Sequence, residues 1–114
     1  MERVQDSRNL SFYSFDLVDE KPYWSPNIYG LLGYTNPADA PVFHSLSDLF
    51  HHGDREKVQA LWDTAHVTGE NFNCTARIVC QDGRLLTCTA QGSTVTDAQG
   101  HVTHIFGHIH PENP

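Results

Sequence analysis

Tyr23-Trp24-Ser25-Pro26-Asn27-Ile28-Tyr29-Gly30-Leu31-Leu32-Gly33-Tyr34 places the end of a strand against the start of a short helix. Ser25 suits the N-cap, Pro26 the first helical position, and Gly33 a left-handed exit. Trp24 before the cap and Tyr29 at the fourth helical position are spaced for a hydrophobic staple, and Ile28, Leu31 and Leu32 share one face. A helix of about two turns is marginal alone. Its apolar face must therefore be covered by the rest of the chain.

Before this stretch, Met1–Asn9 is polar and without period. Tyr13, Phe15 and Leu17 then alternate as one face of a first strand, and Asp19-Glu20-Lys21-Pro22 turns the chain into Tyr23-Trp24. After Gly33, Thr35–Pro41 reads as a loop with room for one helical turn. Leu46, Leu49 and Phe50 follow a Ser45 cap at helical spacing. His52-Gly53 breaks the pattern, and Asp54 is placed to cap a longer helix carrying Val58, Leu61, Trp62 and Ala65 at i, i+3, i+4 and i+7, ended by Gly69.

From Phe72 the period becomes two: Phe72, Cys74, Ala76, Ile78 and Cys80 alternate with polar positions. Asp82-Gly83 predicts a type I′ hairpin, and Asp97–Gly100 a second turn, between strands over about Leu85–Val95 and Val102–Ile109. Two strands, small helices, then a three-stranded meander describe an α+β domain with helices on one face of a five-stranded antiparallel sheet. The expected division is a lead-in over residues 1–10, a domain over 11–110 and the start of a linker over 111–114.

Composition limits the function. The 114 residues include 7 basic and 14 acidic, a formal charge of −7, with no basic cluster, which argues against a nucleic-acid partner. No run approaches the roughly 18 apolar residues of a membrane span, and the N-terminus lacks a signal peptide's apolar core, so membrane insertion is not expected and the cytoplasm is. Three cysteines without a Cys-x-x-Cys pair fit neither a disulfide framework nor a zinc ribbon. Eight histidines would carry the charge from −7 to +1 on full protonation. His104, His108 and His110 share the face of Phe106 on the last strand, but the outer pair spans about 20 Å, too far to hold one ion together. No metal site is expected. The chain offers no Gly-x-Ser-x-Gly, no His-Glu-x-x-His and no glycine loop for phosphate, and its acids Asp19, Glu20, Asp54, Asp82 and Asp97 fall in turns and caps. The domain itself is therefore not read as an enzyme.

Taken in order, these motifs resemble the PAS sensory domains, in particular the subgroup ending in a PAC region. Tyr13-Ser14-Phe15-Asp16-Leu17 is similar to that subgroup's first strand, and Tyr23–Tyr34 to its Trp-Ser-Pro…Tyr…Leu-Gly-Tyr signature. His52-Gly53-Asp54-Arg55 stands for His-Pro-x-Asp-Arg, with Gly53 and a shorter spacing as departures. Arg77-Ile78-Val79, Gln81-Asp82-Gly83 and, at the spacing of the final hairpin, Gly92, Asp97, Gly100 and Gly107 complete the order, although Ala76, Thr87 and His110-Pro111-Glu112 depart from the family's Tyr, Trp and Asp-Ile-Thr.

The resemblance implies sheet order 2-1-5-4-3 and helices closing a cavity, with Tyr29, Phe50, Val58, Leu61, Trp62, Cys74, Ala76, Ile78 and Cys88 as candidate ligand-binding residues. Small residues at Ala76, Cys88, Ala90 and Gly92 leave either a void for a ligand or space for neighbouring side chains. Two known cofactor types are not expected. The helical Asn-Cys-Arg of flavin-adduct relatives is absent, and Val58 stands where haem-binding relatives place their proximal histidine, which leaves only His66 at that helix's end. The cofactor, if any, is unknown. The implied role is an input domain that binds a small ligand or dimerises to regulate its own C-terminal output domain, a diguanylate cyclase or histidine kinase, in a longer bacterial signalling protein. The rivals are a ligand-free dimerisation module and a small cone-shaped α+β enzyme.

Overall fold

The computed structural model describes residues 11–112; the expected lead-in over 1–10 and the last two residues of the expected linker lie outside the described residues. The elements are β1 (Ser11–Asp16), β2 (Lys21–Trp24), α1 (Pro26–Leu31), two 3₁₀ turns (Pro37–Asp39 and Leu46–Leu49), α2 (His52–Thr68), β3 (Phe72–Val79), β4 (Leu85–Thr96) and β5 (Val102–Pro111). All five strands form one antiparallel sheet in the order β2-β1-β5-β4-β3. This is the α+β arrangement expected from the periodicities, with the resemblance's strand order.

Alternation sorts the sheet into two faces. Tyr13 and Phe15 of β1, Phe72, Ala76 and Ile78 of β3, Cys88 and Ala90 of β4, and Ile105 and Ile109 of β5 are buried under the helical layer. Phe12, His104, Phe106, His108 and His110 alternate with them and face the other way. Val58, Trp62 and Ala65 are the buried stripe of α2, and Ile28 and Leu32 bury the face of α1.

Ser25 holds the N-cap position of α1, its carbonyl accepting from the Ile28 N–H (3.0 Å), but its side chain makes no cap bond. Its backbone N–H donates to the Phe12 carbonyl (2.9 Å) and its hydroxyl accepts from the Phe12 N–H (2.9 Å), so both groups are spent on β1. The strand ladder runs one residue past Trp24, and the buried serine welds the joint. Pro26 and Gly33 do occupy the first turn and the left-handed exit, Gly33 at φ 91°.

The first meander turn, at Asp82-Gly83, is also built differently from the type I′ expectation. The Gly83 N–H donates to the Cys80 carbonyl and the Cys80 N–H to the Arg84 carbonyl. Only Gly83 has positive φ. This is a turn closed by one left-handed glycine, with the Asp82 carboxylate accepting from the Arg84 N–H at 2.9 Å. Asp97–Gly100 repeats the construction, with Asp97 accepting from both Gln99 and His101. Asp-x-x-Gly and Asp-Gly thus reach the same geometry because the carboxylate braces the turn in each.

α2 departs furthest from its expected start. It starts at His52, two residues before the expected cap, and the His51 side chain accepts from the Gly53 N–H. Asp54 instead reaches the edge strand: its carboxylate accepts from the Arg77 backbone N–H (2.8 Å), from Arg77 Nε (3.0 Å) and from Arg77 Nη2 (3.2 Å). The His51 N–H donates to the Arg77 carbonyl (2.7 Å), and Lys57 Nζ donates to the Thr75 carbonyl (2.7 Å). The head of α2 thereby satisfies the open side of β3, which as an edge strand would otherwise present unpaired backbone groups.

The Arg77 side chain and backbone N–H together hold the Asp54 carboxyl down to about 2. A depressed folded value stabilises the protein above the ordinary carboxylate range and ceases to do so as pH falls through the folded value. Urea midpoints should therefore drop between about pH 4 and pH 2 by more in the wild type than in Asp54→Asn, which is weaker throughout. Parallel losses in the two proteins would exclude this pair as the acid-sensitive contact.

Candidate functional site

Trp62 is the residue about which the interior is arranged. Its ring meets Phe15 edge-on at 4.7 Å and lies 6.5 Å from both Tyr13 and Phe72, while Trp24 abuts Phe15 at 5.3 Å from the other side. Edge-to-face contacts of this kind add to the area each ring buries. The Trp24 Nε1–H donates to the Phe43 carbonyl (3.1 Å), tying β2 to the loop before the second 3₁₀ turn. Tyr13 passes over Gly107 to donate to the Gln91 carbonyl of β4 (2.9 Å). A Cβ on Gly107 would run into that carbonyl, so this crossing requires glycine. Burial pushes the Tyr13 phenol further up, so it remains a donor.

The nine candidate cavity residues belong to one apolar cluster. Phe50, Val58, Ile78 and Cys88 are fully enclosed, Ala76 and Trp62 are buried, and Tyr29, Leu61 and Cys74 pack half-buried against them. Phe50 reaches Ile78 through a lone backbone bridge. The absent side chain of Gly92 is answered by Phe72, whose ring occupies the place a Cβ would take.

Of the nine, Trp62 also lines a cleft. It opens where the C-terminal half of α2 passes the β1–β2 turn and has a volume of about 410 Å³, within the range of small-molecule sites. Buried Phe15 and Trp62 form its floor with half-buried Leu17, and Asp16, Glu20, His44 and His66 stand around its mouth. The Asp16 carboxylate accepts from the backbone N–H groups of Asp19 and Val18 (3.0 Å each) and lies 3.7 Å from His104 Nε2. These contacts, led by the Asp19 N–H, hold it below its usual value. Glu20 has φ 56°, the only non-glycine residue described with positive φ. Outside glycine, such backbone collects at functional turns. Sequence reading reached Trp62 but missed the cleft, because Asp16, Glu20, His44 and His66 converge from three separated segments.

The side chains do not suit a flavin adduct or a haem held at the position of Val58. Cys74 lies on β3, Cys80 just beyond its end and Cys88 on β4, so no cysteine stands in the helical layer to form a flavin adduct. Val58, at the expected haem-ligand position, is fully enclosed. All three thiols are free and desolvated: burial pushes Cys88 up to about 12 and raises Cys74 and Cys80 as well. Thiols protonated at neutral pH are poor nucleophiles. A disulfide reagent at pH 7 should therefore label the native chain slowly and all three cysteines rapidly in urea. Fast labelling of any one in the native state would reopen redox sensing.

The chain matches the PAS fold family model over residues 21–112. Among solved structures it is similar to the N-terminal domain of a diguanylate cyclase with a PAS/PAC sensor from Marinobacter aquaeolei, at 18% identity and TM-score 0.76 over 90% of this chain and 94% of that one. It is also similar to a sensory box histidine kinase/response regulator from Burkholderia thailandensis, at 16% identity and TM-score 0.74 over 94% and 79%. A domain of a light and redox sensing histidine kinase from Haloarcula marismortui, at 15% identity, gives TM-score 0.75 over 92% and 90%. No curated protein sequence matches it. Among the described residues no helix is long and apolar enough to cross a membrane. With its family model spanning most of the chain and its sheet order that of the expected fold, this protein belongs to the PAS fold family.

Proposed function

We propose that this domain is a sensory input module whose ligand enters the cleft over Trp62 and whose state passes along β5 to an output domain, a diguanylate cyclase or histidine kinase, on its C-terminal side. The observation that carries the reading is the cleft itself. Its aromatic floor is part of the core, so an occupant touches Phe15 of β1 and Trp62 of α2 together. β1 is hydrogen-bonded along its length to β5, and β5 is the strand that leads out of the domain. Behind Trp62 the remaining candidates, Tyr29, Phe50, Val58, Leu61, Cys74, Ala76, Ile78 and Cys88, form an apolar interior into which a ligand would extend by displacing side chains.

The Glu20 carboxylate beside a buried aromatic floor favours a small flat molecule bearing a cationic or hydrogen-bond-donating group. Tryptamine, an aromatic amine, is thus expected to shift the amide signals of Phe15, Leu17, Trp62 and His66, and to bind several-fold more weakly to Glu20→Gln; indole-3-acetate is expected to bind poorly. If neither probe perturbs the cleft, or both bind elsewhere, the assignment of this cleft fails. Reading the coding sequence past Pro114 tests the output domain separately, since a stop codon there would rule out regulation in cis.

A second reading, pairing of two copies, is favoured by the outer sheet face, where Phe12, Tyr23 and Phe106 stay about half exposed and Phe12 and Tyr23 lie 5.9 Å apart.

A further inference from the structure

The outer face of β5 carries a feature that neither the cleft nor the core uses. His108 and His110 project from the same side of the strand, their rings nearly parallel with centroids 5.3 Å apart and their Nδ1 atoms 3.3 Å apart. In the neutral pair one Nδ1–H points at the other Nδ1 lone pair. The same separation is the bite of a tetrahedral metal. Two imidazole nitrogens at zinc's usual bond length, about 2.0–2.1 Å, and at the tetrahedral angle stand about 3.3–3.4 Å apart. Moving one proton from Nδ1 to Nε2 through solvent frees both lone pairs without changing the charge of the pair.

Two nitrogens fill half of zinc's tetrahedral shell. Among the described residues no group of three His, Cys, Asp or Glu side chains comes close enough to hold a metal ion, so this chain alone does not close the site. Across the ladder, His108 faces Phe12 of β1 and Gln91 of β4, while His110 faces Thr89. Next to His108 runs a mostly apolar groove of about 430 Å³ lined by Phe12, Gln91 and Phe106. The exposed aromatic surface and the open coordination positions therefore lie on one face and call for the same occupant.

We propose that His108 and His110 are half of a zinc site shared between two copies of this chain, each contributing the pair across a two-fold axis on the outer face of β5. A two-fold interface brings the same patch of both copies together, so four imidazoles complete the tetrahedron and Phe12 and Phe106 lose water. This inference takes up the pairing reading above and adds what holds the pair together.

The test uses the full chain without a histidine tag, stripped with EDTA and titrated with zinc sulfate while mass is followed by sedimentation velocity. The expected result is conversion from monomer to dimer, saturating at roughly half an equivalent of zinc and reversed by EDTA. The doubly substituted His108→Gln, His110→Gln chain should stay monomeric, whereas His104→Gln should behave as the wild type. All three histidines are surface residues, and circular dichroism checks that the variants fold. If a variant misfolds, the zinc stoichiometry of the wild type decides. One zinc per chain without a change in mass, or binding that survives the double substitution, overturns the proposal. A dimer that forms in EDTA overturns the zinc assignment and leaves the pairing reading standing; a monomer under all conditions removes both.

Discussion

The structure depends on how the unpaired side of β3 is satisfied. A five-stranded sheet that does not close has two edges, and an edge strand left bare is costly where it is covered from water and sticky where it is not. Here the first two turns of α2 supply the partners: the His51 N–H for the Arg77 carbonyl, the Asp54 carboxylate for the Arg77 N–H, and Lys57 for the Thr75 carbonyl. These contacts fix where α2 starts and which way it runs. Once its first turn is anchored to β3, the helical repeat places Val58, Trp62 and Ala65 onto the sheet.

Trp62 carries that placement into the aromatic core. Because its ring meets Phe15, Tyr13 and Phe72 together, a shift of α2 would be felt on β1 and β3 at once. Tyr13 extends the connection to β4 by crossing the backbone of β5 at Gly107. The cleft sits at the edge of this aromatic group and not at its centre. An occupant there would act on the packing of α2 against β1 without first emptying the core.

The two faces of the sheet serve different ends. The inner face sets a large residue against a small one in register where the Phe72 ring covers Gly92. The outer face keeps aromatic and imidazole side chains in contact with water. That is tolerable for scattered residues but unusual for a contiguous set centred on the middle strand of a sheet.

Much of the architecture was legible from period alone. Alternation at Tyr13 and Phe15, the helical stripe of Val58, Trp62 and Ala65, and the glycines of the meander depend on local geometry, which neighbours in sequence determine. The roles of Ser25 and Asp54 were not legible. Each is a good cap residue, and each gives its oxygen to a strand distant in the chain, since a backbone group needing a partner in the folded protein outweighs a local preference worth about 1 kcal/mol. The same holds for the cleft and for the histidine pair. Sequence determined that Trp62 is buried on α2 and that His108 and His110 share a face; only the tertiary structure decided that Asp16, Glu20, His44 and His66 gather around Trp62 and that two imidazoles come within 3.3 Å. Distances between segments are set by how the sheet and helices pack, and no local pattern encodes them.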